Sequence, residues 1–396
     1  MRLAKLALLC FLVPIFIITL ANQVVTKPTV SESENRVLSA RPDFGWDSLF
    51  GGTLLRQYED YFADTFILRD RLVRISRRVR GWYGFETADE ARLVAQRGAN
   101  LAQNRGDSLT LMLIAKNQAM EIHRFNPESS RVYAETLNRF QQRVGAGVKV
   151  YSLVAPTRIE FSDRPDYRSL SSPQKHTIDY VNQHLNPDIR RVDAYSSLAE
   201  NASRDIYFRT DHHWTALGAY CSYTAFMNAR GEEPVPLERY QTGEAGGFLG
   251  SLYTLSMDRR LEQDPDTIRY YLPFTGHQYT VYYERPVDLP VIDRSRSDQR
   301  NKYEIFMGGD HPLGEIFTSV KNGKKIAVIK DSYGNALIPF LIPHYQEIYV
   351  IDPREFRADV FEFIKSRGIQ EVLFINYILA TQNTDVADVI NDMMER

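Results

Sequence analysis

Cysteine is nearly missing from this 396-residue chain: Cys10 and Cys221 are the only two. A disulfide scaffold and a multi-cysteine zinc or iron–sulfur site are thereby excluded. An excess of one charge sign is missing too. Lys plus Arg is 48 against 50 for Asp plus Glu, a net charge of −2. Bulk attraction to nucleic acid needs a clearly basic domain, so nucleic acid is not expected as a partner. Internal repeats and low-complexity tracts are also absent. What remains is 43% hydrophobic and 12% aromatic, a globular composition that excludes disorder for the body of the chain. The length allows one large domain with insertions or two smaller ones.

The one long apolar run is Leu6 to Ala21, preceded by Arg2 and Lys5. Its length lies between a signal-peptide core and a full membrane span. The positive end stays in the cytoplasm. Residues 1–22 are therefore expected to form a signal anchor in the cell membrane, with everything after it extracytoplasmic; cleavage after Ala21 is the alternative. Cys10 is no lipidation site, because Leu9 precedes it and the apolar run continues past it. Cys221 is then the sole exported cysteine, so the exported part depends on its core alone.

Residues 23–45 are polar and aperiodic, a linker containing Glu34-Asn35-Arg36. Residues 46–85 follow as an amphipathic helical segment. Leu54, Tyr58, Tyr61, Phe62, Phe66, Leu68 and Leu72 recur at helical spacings within it. Its tail carries Arg69, Arg71, Arg74, Arg77, Arg78 and Arg80. That tail reads as a solvated helix face, or alternatively as a surface for anionic lipid headgroups.

Residues 86–396 alternate between short apolar strands and helices. Strands are expected at Leu109–Ile114, Val148–Val154, Lys325–Ile329, Glu347–Ile351 and Val372–Ile375. Helices are expected at Arg131–Val144 and Ser172–His184, after the Lys325–Ile329 strand through Leu341, at about Glu355–Lys365 and from about Asp385. This pattern predicts an α/β fold: three layers around a mostly parallel sheet. Residues 246–310 are rich in Tyr, Thr and Val and are expected to form a β-rich insertion.

In open α/β sheets the ligand lies beyond the carboxyl ends of the strands. Pro156-Thr157-Arg158, Lys330-Asp331-Ser332-Tyr333-Gly334-Asn335, Asp352-Pro353-Arg354 and Asn376-Tyr377 follow four of the expected strands. Ser332 sits at a strand-to-helix turn, where its hydroxyl and the first helical N–H groups can face one spot. A serine hydroxyl needs a base. Asp211-His212-His213-Trp214 supplies one: in an extended segment Asp211 and His213 share a side and His212 points away. Each part has a plainer reading. Asp331-Ser332 could be a helix cap, Asp211 could cap the helix after Thr215, and the His-His pair with Asp310-His311 could hold a metal, although no motif spacing supports one.

Asp211-His212-His213-Trp214 resembles the tetrapeptide signature of the bacterial DHHW family. Glu34-Asn35-Arg36, Tyr58–Asp70, Pro156-Thr157, the Phe306–Pro312 stretch, Lys330–Asn335 and Ile351–Arg354 fit as well. That family is similar to the SGNH hydrolase-like domains of exported alginate O-acetylation proteins. The resemblance implies an SGNH-like fold in circularly permuted order, because the Asp-His pair precedes the serine. It also implies Asp211 as acid, His213 as base and Ser332 as nucleophile. Lys330 stands where ordinary SGNH hydrolases carry glycine, and Asp352–Arg354 occupies the place of an oxyanion glycine. Asn376 could be the oxyanion asparagine or a turn residue. Arg158 and Arg354 could bind an anionic glycan or neutralise Asp352. Tyr333 is a further substrate-binding candidate. Gly308-Gly309 reads as a tight turn.

Two functions follow. One is an exported O-acetyltransferase or esterase acting on a cell-surface polysaccharide through an acyl-serine, with no cofactor. Its acetyl supply, by the resemblance, comes from a membrane-bound O-acyltransferase partner. The other is an inactive relative that binds glycan or that partner.

Overall fold

The structure is a computed structural model. It describes residues 38–69, 91–97 and 109–396, with scattered positions among 21–37 and 71–75. The expected signal anchor, apart from its last two residues, lies outside the described residues, as do Arg74, Arg77, Arg78 and Arg80. Among the described residues no helix is long and apolar enough to cross a membrane. Contacts divide the chain into Met1–Ala88 and Asp89–Arg396.

In the first unit, Val30–Ser31 pairs antiparallel with Arg36–Val37. The amphipathic stretch folds as two helices, Trp46–Phe50 and Thr53–Asp64. Gly51-Gly52 separates them, and Gly52 takes a left-handed φ of 75° that ends helical continuity. The continuous helical periodicity is thus interrupted by a glycine pair.

The second unit opens with an antiparallel sheet of β1 (Arg92–Arg97), β2 (Leu109–Ala115) and β3 (Gln118–Glu121). The central sheet comprises β4 (Lys149–Ala155), β5 (Ile189–Arg191), β8 (His277–Tyr282), β9 (Pro286–Leu289), β10 (Leu313–Thr318), β11 (Lys325–Lys330), β12 (Glu347–Ile351) and β13 (Glu371–Tyr377). Its order is β9-β8-β10-β12-β11-β13-β4-β5. The five strands from β12 to β5 are parallel; β10, β8 and β9 extend one side antiparallel. A separate antiparallel ribbon pairs β6 (Gln241–Phe248) with β7 (Asp266–Leu272). The 246–310 stretch is therefore divided between that ribbon, the antiparallel side of the central sheet, and short helices such as Ser251–Ser256.

Right-handed crossovers set the layers. The helix Tyr333–Leu341 links β11 to β12 in one direction, and Val360–Arg367 links β12 to β13 in the other, which puts the two helices on opposite faces. Pro127–Val144, Gln174–His184 and Asp385–Met394 pack in the layer of Val360–Arg367; Ala194–Glu200 and Ala216–Arg230 pack with Tyr333–Leu341. Every residue of Tyr333–Leu341 is buried, as are all seven of β13. Strands covered on both faces read as unbroken apolar runs, which is why their bounds were legible. Ser332 lies two residues beyond β11, at the point where neighbouring strands send their helices to opposite faces, the crevice that such sheets use for ligands.

Candidate active site

Ser332 is the half-buried N-cap of its helix and adopts a helical backbone. Its turn is held by Asp331, whose buried carboxylate accepts the Tyr333 N–H at 3.0 Å and the Tyr377 N–H at 2.8 Å. Gly334 allows the turn to close: a Cβ there would meet the Lys330 side chain at 2.8 Å. Trp214 donates its indole N–H to the Tyr333 carbonyl at 3.0 Å and so fastens the two motifs together.

The Asp211–His213 segment is a tight loop, not the expected extended strand. An isolated bridge between Tyr207 and Trp214 closes it. Asp211 and His213 meet because Asp211 Oδ1 accepts both the His213 backbone N–H at 2.9 Å and Nδ1 at 2.6 Å. His213 Nε2 lies 2.6 Å from Ser332 Oγ. These three residues therefore form one continuous hydrogen-bonded chain. Asp211 Oδ2 accepts the Ser251 N–H at 2.8 Å. Burial pushes the Asp211 carboxyl up, but His213 and His212, with the hydrogen bonds to His213 and Ser251, outweigh it and hold the group well below its ordinary value.

His212 does not point away. Its ring lies 3.7 Å from that of His213, and its Nδ1 meets Ser251 Oγ at 2.7 Å. Burial and the neighbouring His213 lower its pKa to about 3, so it stays neutral beside the base. Asp211, His212 and His213 bring three ligand-type atoms within 4.8 Å of one another, and these atoms face one another and Ser251 in the hydrogen bonds just described.

The loop is cradled by the region that had no chemical reading in the sequence. Asp266 accepts the Arg209 N–H at 3.1 Å and the Thr210 N–H at 2.7 Å. Thr210 Oγ1 accepts the Gly250 N–H at 3.1 Å. Tyr303 stacks on His213 at 3.7 Å. Ser251, Asp266 and Tyr303 have no fixed spacing from the motif, so no sequence signal marked them.

The DHHW protein family model matches residues 93–351. The chain belongs to the DHHW family. A solved DHHW family protein from Eubacterium siraeum is 31% identical, covering 72% of this chain and 95% of that one with a TM-score of 0.66. Bacillus cereus PatB1 is 20% identical, covering 69% and 98% with a TM-score of 0.60, a likeness of fold. The O-acetyltransferase domain of Pseudomonas putida AlgJ is 13% identical, covering 77% and 99% with a TM-score of 0.41. No curated protein sequence matches.

Four candidate residues of this DHHW protein hold the site from behind. Asn376 accepts from the Tyr133 hydroxyl at 3.0 Å and donates to Asp331 at 3.4 Å. The Ser332 N–H, in contrast, has no acceptor among the described residues. Arg158 binds Gln118 Oε1 at 2.6 Å and the Tyr207 carbonyl at 2.9 Å, tying β3 to the Asp211 loop. Arg354 pairs with Asp352 and, at 2.8 Å, with Asp310. Asp310 also accepts Lys330 and, at 2.9 Å, Asn335. Tyr333 is fully buried, donates to the His212 carbonyl and stacks on Tyr377, out of reach of substrate.

Glu121 is a buried carboxyl near Asp211 whose Oε2 has no hydrogen-bond partner. Burial, and then the charge of Asp211, raise its pKa from 4.5 to about 8. The unfolded chain loses this proton near its ordinary pKa, whereas the folded chain keeps it to about 8. Folding takes up a proton in that window, so this group lowers stability as pH rises through it. Glu121→Gln should therefore gain stability relative to wild type between about pH 4.5 and 8, by on the order of a few kcal/mol. Denaturant titrations at pH 5 and pH 8 check this; an equal difference at both pH values removes Glu121 from that role. A second expectation concerns Gly250. A Cβ there would lie 2.2 Å from Asp211 Cβ and 2.4 Å from Oδ2. Gly250→Ala should displace Asp211 and slow labelling of Ser332 by a sulfonyl fluoride about as much as Asp211→Asn does, while circular dichroism stays native.

Proposed function

We propose that this DHHW protein is an exported, membrane-anchored enzyme that transfers acyl groups, acetyl above all, to or from an extracellular polysaccharide. The observation that carries the proposal is the unbroken chain from Asp211 through His213 to Ser332, with 2.6 Å at each side-chain step. His213 Nε2 takes the proton from Ser332 Oγ as that oxygen bonds to the acyl carbon. The same proton passes to the leaving oxygen as its bond to the acyl carbon breaks. Asp211 holds the imidazole in the tautomer that presents Nε2 to the serine and steadies the imidazolium. The Ser332 N–H supplies one donor for the oxyanion. A glycan hydroxyl or water then resolves the acetyl-serine, with His213 acting again as base. Transferase and esterase share these steps and differ in what resolves the intermediate.

The order of the motif, Asp211 and His213 before Ser332, fits a circular permutation of the SGNH arrangement. An exported enzyme cannot reach acetyl-CoA inside the cell, so the proposal includes a membrane O-acyltransferase that passes acetyl outward. PatB1, which shares the fold, has also been solved with a sulfonyl adduct. Sulfonyl fluorides are accordingly apt probes of Ser332.

The test is intact-protein mass spectrometry after incubation with an activated acetyl ester. Wild type should gain acetyl mass and turn the ester over, and Ser332→Ala should do neither while remaining folded. Wild-type activity in that variant would remove the triad from the mechanism. Asp211→Asn should slow acylation by about 10⁴-fold, as loss of the orienting carboxylate does in serine proteases. An unchanged rate would show that Asp211 has no part in it.

A further inference from the structure

The base of the triad is enclosed by rings. Tyr303 lies on the short turn Lys302–Ile305, far in sequence from both motifs. Its ring is stacked face to face on His213, with centroids 3.7 Å apart and planes within 6°. Its hydroxyl donates to the Ser332 backbone carbonyl at 3.2 Å. One side chain therefore touches both the base and the residue that carries the nucleophile. Tyr303 is itself buried and held edge-on by Phe306 at 5.3 Å and Phe208 at 6.3 Å. Burial, followed by the charges of Asp211, Asp310 and Asp331, raises its phenol pKa well above the ordinary value. The hydroxyl therefore remains a donor throughout the working pH range.

We propose that Tyr303 is a positioning residue for acyl transfer: its hydroxyl fixes the Ser332 turn, and its ring face stabilises His213 as it becomes a cation. The proposal rests on the triad reading above. A cation is attracted to the negative face of an aromatic ring, and more strongly where water is excluded. His213 is only 5% exposed, so this attraction acts with little screening. The other titratable groups around His213 are Asp211, His212 and Tyr333, with Asp310 and Asp331 bearing on the same cluster. His212, being neutral, adds no opposing charge. Among these neighbours Tyr303 alone offers His213 a parallel ring face.

Three substitutions separate ring from hydroxyl. Tyr303→Phe keeps the ring, Tyr303→Leu removes it, and pentafluorophenylalanine at 303 keeps its shape while reversing its quadrupole. The readouts are the His213 pKa from NMR titration of labelled histidine, and the pH dependence of Ser332 labelling by a sulfonyl fluoride. Without the ring face the imidazolium is less stable, so the His213 pKa and the acid limb of labelling should move down. A shift of about half a pH unit is expected for Tyr303→Leu, larger for the fluorinated ring, with a plateau rate about ten-fold lower. Tyr303→Phe should lower the plateau several-fold and leave the acid limb in place. Superimposable pH profiles for wild type, Tyr303→Leu and the fluorinated variant would overturn the proposal, as would an equal shift in Tyr303→Phe. If Tyr303→Leu does not fold, the fluorinated variant, which lacks the hydroxyl and is read against Tyr303→Phe, decides. If wild type takes no label at any pH, the triad reading fails, while the NMR titration still decides whether Tyr303 sets the His213 pKa.

Discussion

The site depends on keeping one carboxylate charged while it is buried. Asp211 is 5% exposed, and an isolated buried carboxylate would simply take up a proton. It stays ionised because Oδ1 accepts the His213 N–H and Nδ1, and Oδ2 accepts the Ser251 N–H. Each donor imposes a further demand. The Ser251 N–H reaches Asp211 only if residue 250 has no side chain. The His213 N–H reaches it only if the loop is tight, and Asp266 holds that tightness through the Arg209 and Thr210 amides. Geometry that looks local to four residues is thus fixed by contacts with residues 250, 251 and 266.

A second electrostatic assembly supports the serine side. Asp310 gathers Lys330, Asn335 and Arg354, and Arg354 also neutralises Asp352. Burial opposes ionisation of Asp310, yet Lys330 and Arg354 hold its carboxyl well below the ordinary range. Lys330 is almost fully buried as a partner of Asp310. The strand end before Ser332 is therefore anchored by an ion pair with the Phe306–Pro312 segment. Breaking one member of such a group leaves its partner buried and uncompensated.

Much of this was legible in the residues. Glu347–Ile351 was expected as a strand and is one residue for residue, because a strand buried on both faces is an unbroken apolar run. The helix after Asp352 was expected from Glu355 and begins at Val360, where Asp359 caps it through the Phe361 and Glu362 amides. Asp211, His213 and Ser332 stand out together in the sequence, but an extended segment would bring the first two to one side, and the structure does so with a tight loop. Arg158, Arg354, Tyr333 and Asn376 stand out by their place after strands. That placement is real, yet each side chain turns to a partner such as Gln118, Asp310, His212 or Tyr133, which strand-end position alone does not reveal.

By itself the sequence determined the alternation of strands and helices, the mostly parallel sheet, and the chemical types available at the strand ends. Those follow from local periodicity and from the turn chemistry of short peptides, and both are written in neighbouring residues. Tertiary structure alone decided which polar side chains face the crevice and which hold it up. It also decided that Ser251 and Asp266 shape the Asp211 loop and that Tyr303 lies on His213. The physical reason is that a hydrogen bond or a ring stack acts over about 3 to 4 Å of space and is indifferent to separation along the chain.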